Sequence, residues 1–207
     1  MNPWLEGALR ESREWGFLGP GDIEPHVEHS LGFARAWESV RTGPPDVLVD
    51  LGSGGGIPGL VLADLWRTTT RLVDSMVRRT QFLKRVAREA GAPPGIFVTC
   101  ARVEDLARTP PWEYGANLVT ARSFAPPAVV AECAARLLAP GGLLIVSEPP
   151  VTDHDPARWP ADGLRALGLE PIGRPTEPFA FQVLERTGEV DARYPRQSGV
   201  PRKRPLF

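Results

Sequence analysis

The sequence predicts an α/β fold: a mostly parallel sheet of seven strands that ends in an antiparallel hairpin and is preceded by a helical cap. Three observations lead there. Short β-rich apolar runs alternate with segments of helical spacing from about residue 46 onward, which calls for a parallel sheet with helices on both faces and right-handed crossovers. The last two runs have too little chain between them for a helical crossover, so they pair as an antiparallel hairpin at or near the sheet edge. The first 45 residues carry helical patterns and no strand.

In chain order, "NPWLEGALRESREWGF" and "DIEPHVEHSLGFARAWESV" read as two helices separated by "GPGD", with Asp22 in place to cap the second. Together they are expected to cover one end of the sheet. The strands are "VLVDL" (47–51), "RLVD" (71–74), "IFVTC" (96–100), "NLVTA" (117–121) and "GLLIVSE" (142–148), followed by a hairpin around "EPIG" and "FAFQVLER". Between them, "RRTQFLKRVAREAG" puts Phe82, Leu83, Val86 and Ala90 on one helix face and stops at Gly91. "PPAVVAECAARLLAPGG" is opened by prolines, filled on one side by Val129, Val130, Cys133, Leu137 and Leu138, and closed by Pro-Gly-Gly. One domain is expected over residues 1–207, with a helical cap (1–45), a core (46–191) and a basic C-terminal tail (192–207).

With 42% hydrophobic and 24% charged residues among 207, the composition is that of a globular protein and not of a disordered chain. No apolar run approaches the ~18 to 20 residues that cross a bilayer. The start lacks a basic-then-apolar signal pattern, so a cytoplasmic protein without membrane contact, and a monomer, is expected. Cys100 and Cys133 have neither a CxxC partner nor a ligand cluster; they read as packed thiols, and no metal is expected. The net charge of -1 is unevenly spread: from Ala192 to Phe207 there are five basic residues and no acidic one. Such a tail is either aimed at an anion or simply solvated.

The chemistry concentrates in "VLVDLGSGGGIPGL", residues 47 to 60. Gly54, Gly56 and Gly59 satisfy the dinucleotide pattern G-x-G-x-x-G. The frame that directly follows the strand, however, is Asp50-x-Gly52-x-Gly54-x-Gly56. A carboxylate beside the turn suits a cofactor bearing an amino group and a sulfonium better than one bearing two phosphates. The second strand ends at Asp74, 22 residues past Gly52. There a carboxylate accepts the ribose hydroxyls of either cofactor, or caps the helix that begins near Ser75.

The acidic-first frame resembles the first motif of class I S-adenosylmethionine-dependent methyltransferases. Read together, "DLGSGGGIPGLVLA", "LVDSMVRRTQFLKRVARE", "ARVEDL", "VTARSFA" and the ending "RYPRQSGVPRKRPLF" are similar in order and spacing to one bacterial family. It is the 16S ribosomal RNA (guanine-N7) methyltransferase family, once called glucose-inhibited division protein B. The resemblance implies a Rossmann-like class I methyltransferase fold, S-adenosyl-L-methionine as cofactor, and 16S rRNA or the 30S particle as partner. It places Asp50, Gly52, Ser53, Gly54, Gly56 and Ile57 at the cofactor turn, Asp74 and Ser75 at the ribose, and Val103 and Glu104 beside the adenine. Arg122 would stand beside the cofactor and the incoming base, holding the cofactor carboxylate or a substrate phosphate, or making a salt bridge at the sheet's rim. RNA phosphates would meet Arg78, Arg79, Lys84 and Arg85 after the second strand, and Arg193, Arg196, Arg202, Lys203 and Arg204 in the tail.

No acid/base cluster stands out. Guanine N7 carries a lone pair and no proton, so its methylation requires positioning and not a general base. His26 and His29 read as a surface or packed pair, and His154 as loop. Departures from the family lie at the N-terminus, where "EHSLGF" keeps only His29 of an R-H-x-x-D-S helix, and after the fifth strand, where "SEPP" replaces a common lysine-glycine. Rival readings are therefore a methyltransferase acting on a small metabolite, a non-catalytic module that binds cofactor or RNA, and a dinucleotide oxidoreductase.

Overall fold

Each of the five β-rich runs becomes a parallel strand, and the final pair becomes the antiparallel hairpin. The computed structural model describes residues 1–150 and 158–207; the loop assigned to His154 lies outside the described residues. The elements are α1 (Pro3–Glu14), α2 (Glu24–Glu38), β1 (Val47–Leu51), α3 (Gly59–Trp66), β2 (Thr69–Asp74), α4 (Val77–Val86), β3 (Ile96–Cys100) and α5 (Val103–Leu106). They continue with β4 (Ala116–Ala121), α6 (Pro127–Ala135), β5 (Leu138–Ser147), α7 (Ala161–Arg165), β6 (Leu169–Gly173), β7 (Phe181–Arg186) and α8 (Val200–Lys203). The sheet order is β3-β2-β1-β4-β5-β7-β6. β7 runs antiparallel to both β5 and β6. From β1 the chain builds outward to β2 and β3 on one side and resumes at β4 on the other. The strand order thus reverses between β1 and β4, where open α/β sheets bind ligands beyond the strands' carboxyl ends.

Strand alternation sorts the core into two faces. Leu48, Leu118, Leu143, Ile145 and Val183 point to α2, packing against Phe33 and Trp37, and Leu72 meets Leu9, Leu60, Phe82 and Leu83 of α1, α3 and α4. Val49, Leu51, Val119, Leu144 and Leu184 point the other way, against Val130, Ala134 and Leu164 of α6 and α7. The two N-terminal helices therefore cover a face of the sheet and not its end, because their apolar stripes match the side of β1, β4, β5 and β7 that α6 leaves open.

Three local expectations change. Asp22 does not cap α2, whose N-cap position is Ile23 with no side-chain bond. The helix expected to reach Gly91 ends at Val86 and continues as tight turns, with Arg88 N–H on Arg85 O and Glu89 N–H on Val86 O. α6 stops at Ala135, and Pro140-Gly141-Gly142 forms a bulge inside β5. The register jumps from Ala116↔Leu138 to Leu118↔Leu143, so the turn residues are accommodated without ending the strand.

Candidate active site

The turn after β1 is held from below. Ser53 Oγ donates to Asp50 O at 2.9 Å and accepts from Val73 N–H at 3.1 Å, tying β1 to β2. Asp50, only 1% exposed, accepts from Gly59 N–H through Oδ2 (3.2 Å) and from Thr120 Oγ1 through Oδ1 (2.8 Å). It thus clamps the start of α3 to β4. Burial pushes its carboxyl up to about 6, against the pull of the bonds from Thr120, Ser53 and Gly59. The expectation that Asp50 faces the cofactor is corrected: its carboxylate is buried beneath the turn and does not line the cleft that Gly52 faces. Gly59 is required by this clamp, since a Cβ there would lie 2.7 Å from Asp50 Oδ2 and against the Leu72 side chain.

Gly52 is the glycine of the turn that faces the cleft. Its φ is +66, and a Cβ would fall 2.7 Å from Phe124 Cδ2, so both its conformation and the space above it exclude a side chain. Ser53, Gly54, Gly56 and Ile57, expected at the cofactor, do not line that cleft. Gly56 backs onto Leu60 and Leu83, and Ile57 packs into the cluster around α1 and α3. Gly55 O accepts from Ser12 Oγ at 2.8 Å, which fastens α1 to the turn.

The cleft gathers Gly52, Asp74, Ser75, Val103 and Glu104 as the sequence predicts, and adds Met76, Arg102, Phe124 and Val129, which it did not single out. Of the two roles left open for Asp74, the structure shows the one at the head of the helix. Oδ1 accepts from Met76 N–H at 2.8 Å at the head of α4, and Oδ2 accepts from Gly54 N–H at 3.0 Å. Oδ2 also pairs with Arg79 Nη1 at 3.4 Å, which leaves the second lone pair of Oδ1 as the acceptor available to the cleft. Glu104 anchors the opposite wall by accepting from Gly199 N–H at 3.2 Å and from Arg102 at 3.0 Å. Burial pushes its carboxyl up, but the backbone bonds and Arg102 outweigh it and hold it below the usual range. Cys133 lies at the base of the cleft, where burial raises its thiol and keeps it protonated. Cys100 is exposed and not packed as expected.

Arg122 occupies a second cavity that adjoins the first through Ser123, Phe124 and Ala125, which line both. It thus stands beside the cleft and not within it. Its Nη2 lies 3.1 Å from His26 Nδ1, and His29 lines the same cavity. Burial and then the Arg122 charge lower both histidines, His29 to about 4, so both are neutral at pH 7. Of the two histidines expected to be a surface or packed pair, His29 lines the cavity and His26 contacts Arg122 beside it. Glu148 and Trp159 complete this cavity; neither was legible as a site residue.

The basic tail is not a free end. Arg196 binds Glu132, whose side chain is 0% exposed, through two guanidinium nitrogens at 2.5 and 2.9 Å. Arg193 pairs with Asp191 at 2.9 Å, and Tyr194 is buried. A carboxylate fully enclosed on α6 needs a counter-ion, and the tail supplies it. Arg79 and Arg202, expected on RNA, line the cleft. Arg78 lies over Trp15 and Phe17, at 5.2 and 5.3 Å, and Arg85 is paired with Glu11 and Glu89. Lys84, Lys203 and Arg204 are exposed. Among the described residues no three His, Cys, Asp or Glu side chains gather as metal ligands, and no helix is long and apolar enough to cross a membrane.

The fold and motifs agree with known proteins. The solved antibiotic-resistance methyltransferase Kmr superposes with a TM-score of 0.56 at 23% identity, covering 72% of this chain and 89% of that one. The sheet order and the reversed final strand are those of the Rossmann-like class I methyltransferase fold. The ribosomal RNA small subunit methyltransferase G of Pelotomaculum thermopropionicum is 31% identical over 90% of this chain and 80% of its own length. Its namesake from Deinococcus deserti is 34% identical over 77% of this chain and 68% of its own. The family model for GidB, rRNA small subunit methyltransferase G, matches residues 20–148, and the chain belongs to that family.

Proposed function

We propose that this chain transfers a methyl group from S-adenosyl-L-methionine to N7 of a guanine in 16S rRNA, acting on the 30S particle or its RNA. One observation carries the reading: a cleft that exposes the backbone of Gly52 and is flanked by Asp74 adjoins, across Ser123–Ala125, a second cavity at the ends of β4 and β5. A donor and an acceptor chamber side by side is what in-line transfer requires. The residues fit the cofactor. Asp74 keeps a lone pair for a ribose hydroxyl, Val103 and Val129 give an apolar wall for adenine, and Arg79, paired with Asp74 through Nη1, has a buried Nε without a partner at the cleft, a donor suited to a carboxylate. Bound there, S-adenosyl-L-methionine supplies an electrophilic sulfonium methyl group.

The protein's own part is positional. Phe124 stands between the chambers, and Arg122, beside neutral His26 and His29, brings a fixed positive charge to the acceptor side. No group has to remove a proton, because N7 carries none. Lys203 and Arg204 beside the cleft, with Arg78 and Lys84, are the exposed cations for RNA phosphates. The test is transfer of labelled methyl groups into 30S subunits from cells lacking this gene, followed by nuclease mapping. Label in one 7-methylguanosine is expected; label in no RNA fraction would overturn the reading.

A further inference from the structure

Among the described residues, five buried side-chain N or O atoms have no hydrogen-bond partner, and four of them belong to residues that line the second cavity: His29 Nδ1, Arg122 Nη1, Glu148 Oε1 and Trp159 Nε1. An unmet buried polar atom costs about 1–3 kcal/mol, more when charged. Four gathered on the residues around one cavity therefore point to a polar ligand that completes them. Glu148 is the most constrained. Its side chain is 1% exposed, Arg158 holds Oε2 at 2.7 Å, and its backbone N–H is fixed to Ala180 O at 2.8 Å. Oε1 is left without a partner, an acceptor on a residue that lines the cavity.

We infer that this cavity reads the Watson–Crick edge of the target guanine, with the Glu148 carboxylate accepting from N1–H and N2–H₂ and Arg122 donating to O6. This rests on the reading under Proposed function and adds how the base is chosen. Of the four RNA bases, guanine alone presents two adjacent donors on that edge. Adenine and cytosine would turn a ring-nitrogen lone pair toward the carboxylate, and uracil would flank its single donor with two carbonyl oxygens. A site with committed polar groups rejects a base that cannot pair with them far more strongly than an apolar slot does. N1 and N2 also lie across the purine from N7, so a base gripped by Glu148 leaves N7 free to face the donor cleft. Phe124 supplies an aromatic wall for an unstacked base, as in other readers of single-stranded RNA.

The test uses 30S subunits reconstituted with guanosine or inosine at the mapped target position; inosine lacks only the N2 amine. The wild-type protein is expected to lose about 10-fold in kcat/KM on inosine, the effect of one charge-assisted hydrogen bond. Glu148→Gln is expected to lose about 10- to 100-fold on guanosine while S-adenosylhomocysteine affinity stays unchanged. It should also erase the inosine penalty, a coupling that a structural role would not produce. Equal wild-type rates on the two subunits, or a penalty that persists in Glu148→Gln, would overturn the inference and leave the methyltransferase reading intact. Should the variant not fold, the wild-type comparison alone decides. Absence of any 7-methylguanosine with the wild type would overturn both.

Discussion

Replacing Asp50 by asparagine separates a buried clamp from a ligand contact. In the native protein burial raises this carboxyl from 3.8 to about 6, so between those values the folded state holds a proton that the unfolded chain has released. Stability from this group is therefore full below about pH 4 and is lost as the pH rises to about 6. At about 1.4 kcal/mol per pH unit the gap corresponds to ~3 kcal/mol. The substituted amide would remain uncharged throughout, keeping an oxygen for Gly59 N–H and turning its nitrogen toward the Thr120 hydroxyl, which also accepts. Thermal melts at pH 4 and pH 7 should show the variant gaining on wild type by roughly 6–12 °C between the two, with S-adenosylhomocysteine affinity unchanged. A variant whose melting difference ignores pH while its affinity drops tenfold or more would refute the clamp and place Asp50 against the ligand.

Other substitutions probe the cleft, the tail and the cationic surface. Asp74→Asn, which removes the charged acceptor beside Gly52, should weaken S-adenosylhomocysteine binding about 10- to 100-fold by calorimetry. Arg196→Ala leaves the fully buried Glu132 unpaired, which costs about 3–5 kcal/mol of stability and should expose the segment after Asp191 to limited proteolysis. Lys203→Ala and Arg204→Ala should each reduce the log–log salt slope of 30S binding by roughly 1, while cofactor affinity stays constant.

What the sequence disclosed and what it concealed divide along chain distance. The succession of strands along the chain, the reversed hairpin and the cleft residues Gly52, Asp74, Val103 and Glu104 were legible, because hydrophobic period, turn chemistry and the motifs of the resembled family are local signals. Asp50 was misread for a physical reason: a carboxylate next to glycines looks the same whether it faces a ligand or a distant hydroxyl. Thr120, which settles the matter, is 70 residues away. Arg196 read as a cation for RNA phosphates or for solvent, since its partner Glu132 lies 64 residues earlier on a helix whose other side carried the apolar pattern. Glu148 carries no motif. Only the tertiary structure shows that one of its oxygens is spent on Arg158 and the other is not.

The central claim is that the cleft above Gly52 holds the sulfonium donor, and calorimetric titration of the wild-type protein tests it most directly. One site for S-adenosyl-L-methionine and for S-adenosylhomocysteine, with no heat from NADH, is the predicted result. Saturable NADH binding, or no binding of either adenosyl compound, would contradict it.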